Sequence, residues 1–181
     1  MSMIDRVKNI LLSPKTEWPT IAGEATTTQA LYTSYIMILA AIGPIAMLLR
    51  SVGLGITGAI VAYIVALAAT YVMALIVDAL APTFGGEKNF MQSLKLTAYS
   101  YTAVWLAGIL HLLGALGGVL SLLAAIYTLY TFYLGVPVMK KCPQEKAVVY
   151  TLVVVVCGIV LAAVVGSLMM STMFGGMTMG M

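Results

Sequence analysis

Four stretches of this chain carry no Asp, Glu, Lys or Arg: residues 25–49, 51–77, 96–139 and 147–181. A helix needs about 20 apolar residues to cross a hydrocarbon core of about 30 Å. The first, second and fourth runs each hold one such helix. The third spans 44 residues and is long enough for two. Gly114, Gly117 and Gly118 provide a place for it to turn. The spacing predicts spans at 31–49, 56–80, 96–113, 119–139 and 147–170. Barrel strands are excluded, because they alternate in polarity and are about half as long. The expected fold class is all-α, a polytopic membrane helical bundle with five transmembrane helices.

Composition agrees. The chain is 62% hydrophobic and 8% charged, against about 25% charged in soluble domains. It lacks the polar residues to cover a water-soluble fold of this size. A net charge of +3 without a basic cluster gives nucleic acid no binding surface. Cys142 and Cys157 have neither metal spacing nor a disulfide framework. No cleavable signal is expected. Arg6 and Lys8 precede a polar stretch, and the first apolar run is too long for a signal segment.

Orientation follows from the basic residues. With five spans, Arg6, Lys8, Lys15, Lys88, Lys95, Lys140, Lys141 and Lys146 share one side, and Arg50 stands alone on the other. The bias predicts an N-terminus inside and a C-terminus outside. A re-entrant middle pair would leave Lys95 and Lys140 on the same side, so charge does not distinguish it from full crossing.

Three regions follow: a cytoplasmic arm at 1–24, a membrane domain at 25–172 and a Met/Gly-rich outer tail at 173–181. In the arm, Ile4, Val7, Ile10 and Leu11 fall at helical spacing, with Asp5, Arg6, Lys8 and Asn9 elsewhere. Such a helix lies in the membrane interface or packs on the inner face. Ser13-Pro14 ends it. Trp18 is expected at headgroup depth.

Candidate functional residues are few. Asp78 is the only acid within a predicted span. It is expected to reach water or to pair with Lys88 or Lys95, with a proton relay as the alternative. His111, the only histidine, is expected in an outer turn, with no nucleophile or ligand near it in sequence. Gly158, Ala162 and Gly166 repeat every four residues, as do Gly58, Ala62, Ala66, Thr70 and Ala74. Small residues at that spacing allow close helix packing, within the bundle or between copies. Tyr127, Tyr130 and Tyr133 suit an aromatic belt or the wall of a polar cavity. Met177, Met179 and Met181 could hold Cu(I), a soft ion, or form a frayed end.

Three segments resemble the Yip family of integral membrane proteins, named for eukaryotic members that interact with Ypt/Rab GTPases, and its bacterial branch most closely. They are Leu11-Leu-Ser-Pro-Lys-Thr-Glu-Trp18, Ala81-Pro-Thr-Phe-Gly-Gly-Glu-Lys-Asn-Phe90 and Leu94-Lys-Leu-Thr-Ala-Tyr-Ser-Tyr101. The resemblance rests on Pro14, Trp18, Gly85, Gly86, Phe90, Tyr99 and Tyr101. Ala103 stands in the region where the pattern often has a proline, so the sequence gives no ground for a kink there. The resemblance implies five spans, an inner N-terminus and a role in membrane organisation through protein contacts, and its bacterial branch implies a bacterial cytoplasmic membrane.

The expected function is therefore non-enzymatic scaffolding with membrane lipid and a membrane or peripheral protein as partners, without a cofactor. A small transporter or channel, as a homo-oligomer, is the alternative.

Overall fold

The computed structural model describes residues 1–49 and 55–178. Among these residues there is no strand. Two short helices, α1 (Met3–Leu12) and α2 (Pro14–Gly23), form the arm. The Ser2 hydroxyl caps α1 by accepting from the Asp5 amide. Pro14 opens α2 at a position where a missing N–H costs nothing.

The next helix runs from Thr28 to Leu49. It comprises α3 (Thr28–Leu31), a π-helical turn at Tyr32–Ile36, α4 (Met37–Ala40) and α5 (Ile42–Leu49). Then comes α6 (Gly55–Leu80), extended by a 3-10 turn at Ala81–Phe84. Gly85 ends that turn at φ 76°, a left-handed conformation that glycine adopts without a Cβ clash. α7 (Phe90–Ser100) and α8 (Thr102–Ala107) follow, then a 3-10 turn at Gly108–Leu113. The Asn89 side chain caps α7. The chain closes with α9 (Ala115–Lys140) and α10 (Gln144–Thr178). Because α10 continues to Thr178, no helix end sets off the tail expected from residue 173.

Among the described residues four helices are long and apolar enough to cross a membrane: Thr28–Leu49, Ile56–Phe84, Ala115–Lys140 and Gln144–Ser167. Their outward faces expose Ile38, Ile45, Ile64, Leu123, Leu152 and Val160. Bulky apolar surface of this extent suits lipid rather than water. The segment expected as the third span differs. Residues 90–113 form three pieces, interrupted at Tyr101. Its first part is buried without interruption from Ser93 to Ser100. α7 packs between α6 and α9, while the following 3-10 turn packs on α5. The segment thus runs beside the first long helix from α3 to α5, central at α7 and partly exposed from Val104 onward.

Gly43 and Gly108 meet where α5 crosses that turn. A Cβ on Gly108 would lie 2.8 Å from the Gly43 Cα, whereas one on Gly43 would lie 3.9 Å from the Gly108 Cα. The asymmetry makes a prediction. Gly108→Ala should destabilise the fold by about 1–3 kcal/mol, the range of overpacked cores. Gly43→Ala should be near neutral. Denaturant unfolding in detergent micelles compares them.

The arm departs from its expected form. The face of α1 turned inward contains Arg6 and Ile10, both buried, while Ile4 is 73% exposed. Arg6 therefore belongs to the packed face, and Ile4 does not. Trp18 is 0% exposed and sits in the core instead of facing headgroups. Its indole Nε1 donates to the Thr131 carbonyl at 3.1 Å. Gly135 on α9 makes the space, since a Cβ there would lie 2.7 Å from Trp18 Cε2.

Candidate functional site

The polar residues of the bundle gather in two networks near the arm and the loops. The first is built on Asp78, close to the end of α6. Its Oδ1 accepts from Lys140 Nζ at 2.8 Å, from the Asn89 amide at 2.8 Å and from Ser93 Oγ at 3.0 Å. Lys140 is 0% exposed, and its other two bonds go to Ser93 Oγ and the Asn89 carbonyl. A buried ammonium needs its charge compensated and its three protons accepted. Here both conditions are met. The partner of Asp78 is thus Lys140, not Lys88 or Lys95 as expected. The same corner is tied by the Glu87 amide, which donates to the Lys140 carbonyl at 2.8 Å. Gly86 lies against that carbonyl, only 2.9 Å from where its Cβ would stand.

The second network joins the arm to α7. Arg6 bridges the carboxylates of Glu17 and Glu24. Asn9 donates to the other Glu17 oxygen at 3.2 Å. The guanidinium also lies 5.6 Å from the centre of the Tyr99 ring, a cation–π contact. Lys95, 3% exposed, donates to the carbonyls of Ile21 and Glu24. It adds a second donor to the Ile21 carbonyl, which already accepts from the Glu24 amide, at a helix C-terminus where a cation is electrostatically favoured.

Tyr35 and Tyr99 pack edge to face, with ring centres 4.7 Å apart. The Thr102 hydroxyl donates to the Tyr99 carbonyl at 2.7 Å and accepts from Tyr35 at 2.6 Å. The break at Tyr101 is thus held by a hydroxyl bridge, with no proline beside it. It faces the π-helical turn of the first long helix. Irregular backbone within a membrane bundle is tolerated where it is buried or lines a cavity. A polar cavity of 430 Å³ lies here, bounded by Ser2, Arg6, Glu24, Ser34, Tyr35 and Tyr99 among others.

Other sequence candidates remain scattered. The Tyr127 hydroxyl donates to the Leu11 carbonyl at 2.6 Å, tying α9 to the arm. Tyr133 accepts from Gln144, and Tyr130 is exposed, so the three tyrosines line no common cavity. Gly158 meets Met73 at ordinary contact distance, Ala162 is exposed, and a Cβ on Gly166 would meet nothing within 4 Å. This stripe borders an apolar groove between α6 and α10 rather than a tightly packed seam. Cys142 is buried, which pushes its thiol pKa up. His111 falls in the 3-10 turn Gly108–Leu113. Arg50, Met179 and Met181 lie outside the described residues, and of Met177 only the backbone is described. Among the described residues no group of three His, Cys, Asp or Glu side chains is placed to hold a metal ion.

A profile of the Yip1 domain matches residues 8–165. The chain belongs to the Yip1 domain family. No curated protein and no solved structure matches it. With its four long apolar helices, this Yip1-domain protein is an integral membrane protein. The residues that carried the resemblance meet at the two networks and the core beside them. Pro14 and Trp18 seat the arm. Gly85 and Gly86 shape the loop over Lys140. Phe90 packs on Tyr71 at 5.0 Å, Tyr99 stacks under Arg6, and Tyr101 contacts Trp105 at 5.8 Å.

Sequence reasoning missed the buried roles of Arg6, Glu17, Lys95 and Lys140, and the pairing of Glu24 with Arg6, in this Yip1-domain protein. One signal was present. Ser93, Thr97 and Ser100 form a polar line on one face of α7, which needs polar neighbours.

Proposed function

We propose that this protein organises membranes without catalysing a reaction, holding lipid and protein partners on its arm and helix surfaces. The observation that carries this reading is the pairing of Asp78 with Lys140. The one acid a proton relay would use is engaged at a helix end. The exposed charges serve partners instead. Lys8, Lys15, Lys88, Lys141 and Lys146 are exposed around the arm and the loops. This basic surface suits the anionic cytoplasmic leaflet and supports an inner N-terminus. Five crossings are supported by the course of residues 90–113 beside the first long helix from α3 to α5. In this reading the arm is cytoplasmic and the tail lies outside.

In-cell crosslinking from photoreactive residues at Lys8, Lys15 and Lys141, read by mass spectrometry, tests the proposal. A reproducible protein partner together with lipid adducts is the expected result. Crosslinks to neither would overturn it.

A transporter is favoured only by the interrupted helix at Tyr101 beside the polar cavity. Transport sites use such broken helices near the midplane. Proteoliposome flux by the wild-type protein that Ser34→Trp at the cavity abolishes would establish that second reading.

A further inference from the structure

The cavity between the arm and the first long helix has features of a ligand site. At 430 Å³ it falls within the range of about 300–1,000 Å³ typical of small-molecule pockets. Its walls carry both signs of charge. Arg6 and Glu24 both line it and are paired with each other. A purely anionic group would meet carboxylates, and a purely cationic one would meet the guanidinium.

Donors and acceptors remain available. The guanidinium has five N–H groups, and its two bonds to glutamate leave others free. The Glu24 side chain is 42% exposed, and its Oε2 makes no hydrogen bond among the described residues. Tyr99 is 9% exposed, and its hydroxyl makes none either. That hydroxyl borders the cavity and is available to a ligand as a donor or acceptor.

The position of the cavity indicates where the ligand comes from. Ser34 lies six residues past Thr28, about 9 Å along a helix of membrane-spanning length. Below Ser34 on the same helix, Ile38 and Ile45 are exposed in helical register. A molecule seated in the cavity from the side would have its polar end at Arg6 and an apolar tail along those residues.

We propose that this cavity binds the zwitterionic headgroup of an aminophospholipid from the leaflet on the arm's side. The phosphate lies beside Arg6 and the ammonium beside Glu24, with acyl chain along Ile38 and Ile45. The assignment rests on the lipid-binding reading above and names its lipid class.

Native mass spectrometry of the full chain in mild detergent tests it, with phosphatidylethanolamine and phosphatidylglycerol of matched acyl chains as probes. The wild-type protein should retain one phosphatidylethanolamine, with a preference of at least about tenfold. Ser34→Trp fills the cavity mouth from an exposed position and should remove that binding. Glu24→Gln keeps the side-chain shape and should bring the preference close to one. If Ser34→Trp also lowers the thermal midpoint, Glu24→Gln carries the test. Equal retention of both lipids by wild type, or unchanged preference in Glu24→Gln, would overturn the proposal. Soluble glycerophosphoethanolamine should not displace the lipid. Displacement at equal concentration would assign the site to a soluble phosphodiester and overturn the lipid assignment. Partner crosslinks from Lys15 read the scaffold proposal separately. Their presence with no lipid preference overturns the pocket alone.

Discussion

Asp78→Ala is expected to destabilise the protein by about 3 kcal/mol, the lower end of the cost of breaking a buried ion pair. The lower end applies because the Asp78 side chain is 19% exposed and water reaches it. Most of the loss comes from stranding Lys140, which is 0% exposed and would keep only neutral acceptors. Lys140→Met should cost less, about 1–2 kcal/mol, because Asp78 would retain the Asn89 amide and the Ser93 hydroxyl. The double variant Asp78→Leu/Lys140→Met should be more stable than Asp78→Ala, since it strands no charge. Denaturant titration in detergent, followed by circular dichroism, measures all three. A double variant no better than Asp78→Ala would show that the corner depends on its hydrogen bonds more than on charge pairing.

Trp18→Ala is expected to cost about 3–5 kcal/mol, as large aromatic truncations in packed cores do. The indole is 0% exposed and fills the space that Gly135 leaves on α9. The loss should be local as well as global. Without its anchor, α2 loses its main hold on α9, and Arg6, Glu17 and Glu24 lose their fixed positions. Limited proteolysis should then cut the arm near Lys8 and Lys15, which the wild-type protein should resist. Trp18→Phe separates the contributions. It keeps most of the packing but drops the bond to the Thr131 carbonyl, for about 1 kcal/mol. Arm cleavage at wild-type rates in Trp18→Ala would refute the anchoring role.

The long apolar helices were legible because lipid demands uninterrupted apolar runs, and such runs have few other uses. The loop at Gly85 and Gly86 was legible as a turn for local reasons. The arm was misread because its decisive partners are distant in sequence. Arg6 sits on the packed face only because Glu17 and Glu24 return beside it, a tertiary fact that helical periodicity does not contain. Placing Trp18 at headgroup depth followed the usual habit of tryptophan in membrane proteins, while its partner Thr131 is 113 residues away. Lys95 and Lys140 flank the third apolar run, so they read as topology signals. Their burial depends on Ile21, Glu24 and Asp78 from other elements. The break at Tyr101 was hidden because a threonine hydroxyl, rather than a proline, supports it.

The separation of 113 positions from Trp18 to Thr131 has a consequence during synthesis. Ribosomes add about 5–20 residues per second. The arm therefore emerges about 6–23 seconds before the helix that receives it has been made. Throughout that interval its tryptophan and buried-to-be arginine have no seat. Docking of the arm comes after insertion of α9, so a closed arm reports a chain made at least as far as that helix. A chain arrested before α9 is expected to leave its arm undocked and open to added protease, which limited proteolysis of truncated chains would show.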